Sequence, residues 1–262
     1  MDNRPIGVMD SGIGGLTVFD QLKKVLPSES FIYVGDQANL PYGEKTSEEV
    51  YQLTKRIADY FLTRNVKMMV IACNTATAAA ADRLKRELPI PVIGVIQPGA
   101  KASVKVTKNG NIGVIGTNGT VNSKSYERLI LKEQQDANVF QLGCPDFVTI
   151  VEDGDAGTEK AREVVADQLK YFDDKNIDTL ILGCTHFPII EKEVTNAMPG
   201  VTLVDPGMAT AIIAKNQIET YKIASDGKPK PTEFFTTGDN EYFTKQASTF
   251  LTTTITSNKL DL

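Results

Sequence analysis

Val70-Ile71-Ala72-Cys73-Asn74-Thr75 and Ile181-Leu182-Gly183-Cys184-Thr185-His186 are the two stretches whose reading decides the fold of this chain. Each is a short apolar run ending in a cysteine and followed by polar residues. The likeness extends upstream, where Tyr60-Phe61 and Asn65 recur in register as Tyr171-Phe172 and Asn176. Further out, Ile6-Gly7-Val8-Met9 before Asp10-Ser11-Gly12 recurs as Ile112-Gly113-Val114-Ile115 before Gly116-Thr117-Asn118. Chance supplies apolar matches easily. The Tyr-Phe, Asn and Cys coincidences are harder to dismiss, and they predict two similar units, each with one cysteine at the end of a strand.

Around these stretches short apolar runs alternate with helical periodicity. Strands are expected at 6–9, 31–34, 66–72, 92–96, 112–115, 139–142, 180–182, 201–204 and 233–236. Between them fall helices at 16–25, 47–64, 75–88, 158–175 and 189–197, one following strand 112–115, one after Pro206 and one running to about Leu251. Alternation of this kind, with continuously apolar strands, implies an α/β protein with mostly parallel sheets flanked by helices. Ligands of such sheets bind beyond the carboxyl ends of the strands, so residues just after strands are the ones to inspect.

Composition bounds the partners. The 262 residues are 41% hydrophobic and 23% charged, with a net charge of -5. Those are ordinary values for a globular protein. No Lys/Arg cluster makes a nucleic-acid footprint. No apolar stretch reaches the roughly 18 residues that a membrane span needs, and Met1 to Pro5 lacks the zones of a signal peptide. A cytoplasmic protein binding neither nucleic acid nor membrane is expected. Three cysteines in a chain of this length do not suggest a disulfide framework.

Cys73 and Cys184 each precede a helical pattern, where unpaired amides and the helix dipole favour thiolate. Alone, either thiol reads as a small buried hydrophobe; equivalent placement in two related units favours a shared role. Inverting a carbon centre means removing a proton from one face and adding one to the other. A thiolate opposite a thiol does this in either direction, because the ordinary cysteine pKa of about 8.5 leaves both forms accessible near neutrality.

His186, the only histidine, lies two residues after Cys184, so in an extended segment both side chains would point the same way. Asp10 is a candidate helper of Cys73 or a capping aspartate. Its Gly-rich turn lacks both the dinucleotide-binding spacing and the P-loop lysine. Pro41-Tyr42-Gly43 is a turn. Thr117 and Thr120 would hold a carboxylate or cap a helix. Glu152 would orient His186 or stand solvated. Cys144 has no partner motif, and its spacing to Cys184 and His186 is wrong for zinc. No lysine is an evident Schiff-base site, so neither metal nor organic cofactor is expected.

At these residues the chain resembles the cofactor-independent aspartate/glutamate racemase superfamily. The likeness is carried by Asp10 to Leu16, Tyr33-Val34-Gly35-Asp36 through Pro41-Tyr42-Gly43, Ala72 to Ala76, Gly116-Thr117 to Thr120-Val121, Cys144-Pro145, Val151-Glu152 and Leu182 to Pro188. It implies two pseudo-symmetric α/β domains with the site in the cleft between them, residues 1–96 with 207–262 carrying Cys73 and residues 97–206 carrying Cys184. It implies glutamate as substrate, Cys184 taking the proton from the L-enantiomer and Cys73 from the D-enantiomer. Asp10 would support Cys73, and His186 with Glu152 would support Cys184. Ser11, Pro41, Tyr42, Gly43, Asn74, Thr75, Thr117, Thr120 and Thr185 would bind the amino acid. A bacterial role in supplying D-glutamate for peptidoglycan, and a homodimer, are implied too. Met9, Gln37, Asn39, Asp146 and Thr149 depart from the usual pattern without removing a catalytic group. Two rival readings are a hydrolase or decarboxylase with Cys184 as nucleophile, which would not need Cys73, and a non-catalytic anion-binding module.

Overall fold

Along the chain run β1 (Ile6–Asp10), α1 (Leu16–Val25), β2 (Phe31–Gly35), α2 (Ser47–Thr63), β3 (Met68–Ile71), α3 (Asn74–Glu87), β4 (Val92–Gly94), α4 (Ile96–Val106), β5 (Asn111–Gly116), α5 (Asn118–Asn122), α6 (Ser125–Glu133) and β6 (Asn138–Gly143). Then come α7 (Pro145–Glu152), α8 (Glu159–Leu169), β7 (Thr179–Gly183), α9 (Glu191–Ala197), β8 (Thr202–Val204), α10 (Pro206–Thr220), β9 (Glu233–Thr236), α11 (Asn240–Phe250) and β10 (Ser257–Lys259). This computed structural model describes residues 1–262, except for the side chain of Thr249.

The chain forms two units, Met1–Val95 with Gly207–Leu262 and Ile96–Pro206. The first holds a six-stranded sheet in the order β10-β9-β2-β1-β3-β4, the second a four-stranded sheet in the order β6-β5-β7-β8. Every strand pair in both is parallel. The run β2-β1-β3-β4 of one unit thus has the same connectivity as β6-β5-β7-β8 of the other.

The repeated residues have matching jobs. A methyl group on Gly7 would lie 2.7 Å from the Phe61 ring, and one on Gly113 would lie 3.1 Å from the Phe172 ring. In each unit, therefore, a glycine in the first strand makes room for an aromatic ring, from α2 in one and from the 3-10 turn after α8 in the other. Asn65 and Asn176 both adopt left-handed backbone, at φ 54 and φ 48, a conformation that asparagine tolerates better than most residues.

Alternation along β1 feeds two cores. Ile6 and Val8 join Leu16, Phe19, Leu22 and Ala211 on one face of the sheet, while Met9 joins Val50, Ile57, Ala58 and Phe61 on the other. Helix α2 is anchored by a capping box between Thr46 and Glu49, which satisfies two orphan amides at its start. In the second unit Ile115, Phe147, Val165, Phe172, Leu180 and Leu182 make the main cluster.

Three elements depart from the sequence pattern. The strand expected at 92–96 stops at Gly94, and Ile96 begins α4. No helix is expected at 96–106, yet α4 forms there with Pro98 in its first turn, where a missing amide costs no hydrogen bond. Gly99 there leaves only about a methyl's breadth to Pro206, with 3.0 Å from a built Cβ. Helix α7 opens on Pro145 at its first position. Polar β10 pairs with β9 at the sheet edge, where apolar alternation is not required. No helix among the described residues is long and apolar enough to cross a membrane.

Candidate active site

In the first unit the register brings candidate residues to one edge. Asp10 ends β1, and its carbonyl accepts from the amide of Asp36 just past β2 at 2.9 Å. The Ala72 amide donates to the Met9 carbonyl at 2.8 Å, which places Cys73 just beyond the end of neighbouring β3. Asp10, Asp36 and Cys73 therefore stand at the carboxyl ends of three adjacent strands.

Asp10 is fully buried. Its Oδ2 accepts from the amides of Gly12 and Gly15, each at 3.0 Å. A Cβ on Gly15 would sit 2.4 Å from that of Asp10, so the Gly-rich turn wraps the carboxylate tightly. Ser11 beside it is 8% exposed. Cys73 is the N-cap of α3 and its Sγ accepts from the Ala76 amide at 3.4 Å. Asn74 and Thr75 begin that helix and are buried. The helix N-terminus thus offers partial positive charge to the sulfur.

The 41–43 turn follows a cis Leu40–Pro41 bond. Tyr42 is buried and its hydroxyl donates to Asp36 Oδ2 at 2.5 Å. Asp36 also accepts from Asn39 Nδ2 at 2.9 Å and Thr237 Oγ1 at 2.6 Å. Burial, then the negative charges of Asp36, Cys73 and Asp10, push the Tyr42 phenol far above its ordinary range. A hydroxyl so committed leaves the main chain of Tyr42 and Gly43 as what this turn offers a ligand.

In the second unit Thr117 and Cys144 follow β5 and β6, and Cys184 follows β7. The Gly116–Gly183 register and the bond from the Cys144 amide to the Gly116 carbonyl align the three strand ends. Thr117 caps short α5. Its Oγ1 accepts from the Thr120 amide at 3.2 Å and lies 3.1 Å from the Thr120 hydroxyl. Capping, the alternative weighed for these hydroxyls, is thus present.

Cys184 Sγ lies 3.7 Å from His186 Nδ1. The other ring nitrogen, Nε2, meets Glu152 Oε1 at 2.5 Å. Thr185 and His186 are buried, whereas the Glu152 side chain keeps 22% exposure. Burial disfavours the charged imidazole, but hydrogen bonds to Cys184 and Glu152 outweigh it and push His186 up to about 10. Glu152 is thus hydrogen-bonded to His186 while keeping part of its side chain exposed. The route differs from the extended spacing. His186 has helical φ and ψ, and Cys184 precedes a 3-10 turn at Phe187–Ile190 rather than an α-helix.

Cys144 is fully buried at the start of α7. Burial, with charges at Asp146 and Cys184, raises its thiol to about 12, so it behaves as an apolar filler. Among the described residues no group of three or more His, Cys, Asp or Glu could hold a metal ion. The sequence names Tyr33 and Asp36 only as part of a family-like stretch, with no role, and does not single out Thr237; all three support the turns. Asp36 carried a signal, since it too follows an apolar strand.

Parallel α/β units, each with a thiol and a carboxylate or imidazole–carboxylate pair at the carboxyl edge of its sheet, define the class of fold and site. The chain belongs to the Asp/Glu/Hydantoin racemase family, which it matches over residues 6–214. It is 47% identical over 254 residues to the glutamate racemase of Levilactobacillus brevis, covering 96% of this chain and 92% of that one. Glutamate racemase isoform RacE1 from Bacillus anthracis superposes with a TM-score of 0.97 at 39% identity, covering 100% of this chain and 99% of the other. The Francisella tularensis glutamate racemase, solved in complex with D-glutamate, superposes with a TM-score of 0.92 at 35% identity, covering 100% and 98%.

Proposed function

We propose that this chain interconverts L- and D-glutamate by two-base proton transfer at Cα. From the L-enantiomer, the Cys184 thiolate removes the Cα proton and the Cys73 thiol delivers one to the opposite face. The D-enantiomer reverses the roles. After a turnover the sulfurs have exchanged protonation states. His186, held by Glu152, resets Cys184, and Asp10 assists Cys73. The reading requires both thiols to address one carbon. It is supported chiefly by one observation: each unit carries a thiol after the equivalent strand, with its own carboxylate or imidazole–carboxylate companion.

Substrate recognition would fall to Ser11, Pro41, Tyr42, Gly43, Asn74, Thr75, Thr117, Thr120 and Thr185. Amides at the start of α3 suit a carboxylate whose charge grows as the carbanion forms. The names of the relatives favour glutamate over aspartate. The resemblance of its motifs to the racemase family is the ground for a role of the product in peptidoglycan synthesis and for a homodimeric enzyme.

Proton NMR in deuterated water, starting from each enantiomer without added cofactor, tests this. Loss of the Cα–H signal from both, with convergence to a racemate, is expected. Absence of Cα–H exchange rejects the racemase reading, and a trapped covalent intermediate favours the rival hydrolase.

A further inference from the structure

We infer that Tyr33 is a positioning residue for the Cys73 half-reaction, acting through the turn that holds Asp10. The inference rests on the racemase reading above. Tyr33 lies mid-strand in β2, opposite Val8 of β1, and is completely buried. Its ring is fixed by Phe19 at 6.0 Å, Phe234 at 6.1 Å and Phe243 at 6.1 Å between centroids. From that socket the hydroxyl reaches across to donate to the Gly12 carbonyl at 2.8 Å.

Gly12 is the residue whose amide holds Asp10 Oδ2, and the Gly15 amide holds the same oxygen. A Cβ on Gly15 would lie 2.8 Å from the Tyr33 hydroxyl and 2.7 Å from Asp10 Cγ. The phenol and the carboxylate thus bracket one glycine. Two residues on, on the same face of β2, a Cβ on Gly35 would come within 2.8 Å of the Gly12 carbonyl. The turn is thus held against one face of β2, where the Gly35 backbone and the Tyr33 hydroxyl both meet the Gly12 carbonyl. Burial foremost, with the charges of Asp10 and Cys73, keeps that hydroxyl protonated and a donor. Removing it strands the Gly12 carbonyl in a dry interior. The peptide then shifts to find another donor, and the amides that aim Asp10 shift with it. A carboxylate displaced by a fraction of an ångström is a poorer partner for proton transfer.

Tyr33→Phe, Asp10→Asn and the double variant are compared by steady-state kinetics and by primary isotope effects with 2-deuterated glutamate of each hand. Thermal denaturation serves as the control for folding. Tyr33→Phe is expected to lower kcat/KM about tenfold, the usual scale for one lost buried hydrogen bond with its stranded partner. It should raise the isotope effect from D-glutamate, whose deuteron leaves to Cys73, and lower that from L-glutamate. Asp10→Asn should show the same asymmetry, and the double variant should be no worse than Asp10→Asn alone. A merely structural role slows both half-reactions together and moves neither ratio. Unchanged kinetics, equal isotope effects from both hands, or additive losses in the double variant overturn the inference. Failure of the wild-type enzyme to exchange Cα–H is a separate outcome, which removes the racemase reading itself.

Discussion

Replacing Glu152 by Gln should lower the pKa of His186 without disturbing the fold. His186 is held at about 10 against an ordinary 6.5 because its two ring nitrogens face Cys184 and Glu152 inside the protein. A hydrogen bond to a charged group contributes about 1.5–3 kcal/mol, which is roughly one to two pH units, so the variant should titrate near 8–9. The sign for stability follows from the direction of the shift. The folded-state value is the higher one, so the contribution is complete below 6.5 and disappears as pH rises through about 10. Its ceiling by linkage is about 5 kcal/mol. Since the chain has one histidine, the imidazole resonances followed from pH 5 to 11 need no assignment. Denaturant midpoints at pH 6 and pH 10 give the stability difference, which should be larger in the wild type. A wild-type imidazole titrating near 6.5, or a midpoint unmoved by Glu152→Gln, would refute this account of the trio.

Cys73→Ala and Cys184→Ala should each cost at least about a thousandfold in racemisation, within the range for loss of a positioned acid or base; polarimetry showing full activity in either variant contradicts the two-base scheme. Gly15→Ala should destabilise the first unit by about 1–3 kcal/mol through overpacking against Asp10, seen as a lowered Tm, and an unchanged Tm would mean the turn is looser than its contacts indicate. Lys67 is fully buried against Glu29 at 2.5 Å and donates to the carbonyls of Asp2 and Ile223. Lys67→Met should cost about 3–5 kcal/mol, with partial recovery on adding Glu29→Gln; a negligible loss in urea unfolding would show that the pair is dispensable.

Much of the architecture was legible because the repeat carries chemistry and packing together. Gly7 with Phe61 and Gly113 with Phe172 are paired by the need for space, and Asn65 and Asn176 by a left-handed turn. Both thiols were found by the same register. What stayed hidden depends on contacts between distant segments. Asp36 gathers Tyr42 from the following turn and Thr237 from far along the chain, and no local pattern announces that knot. Helix α4 is not expected from the sequence, and it carries Pro98 in a first turn that needs no amide there. The pairing of His186 with Cys184 was inferred from an extended spacing, yet the backbone achieves it with a helical turn.

The interruption of the first unit's chain by the whole of the second orders events during synthesis. The segment 96–206 carries all four of its strands consecutively, so it can close on itself as soon as it leaves the ribosome. Its neighbour cannot. Strand β2 is flanked in the finished sheet by β1 and by β9, and β9 is translated only after the whole intervening segment. For that interval β2 presents an open row of amides and carbonyls along a strand that itself carries apolar Phe31, Ile32 and Val34. An edge of that kind invites pairing with strangers. Nascent-chain aggregation should therefore peak in the window before residue 236 emerges and fade once it has.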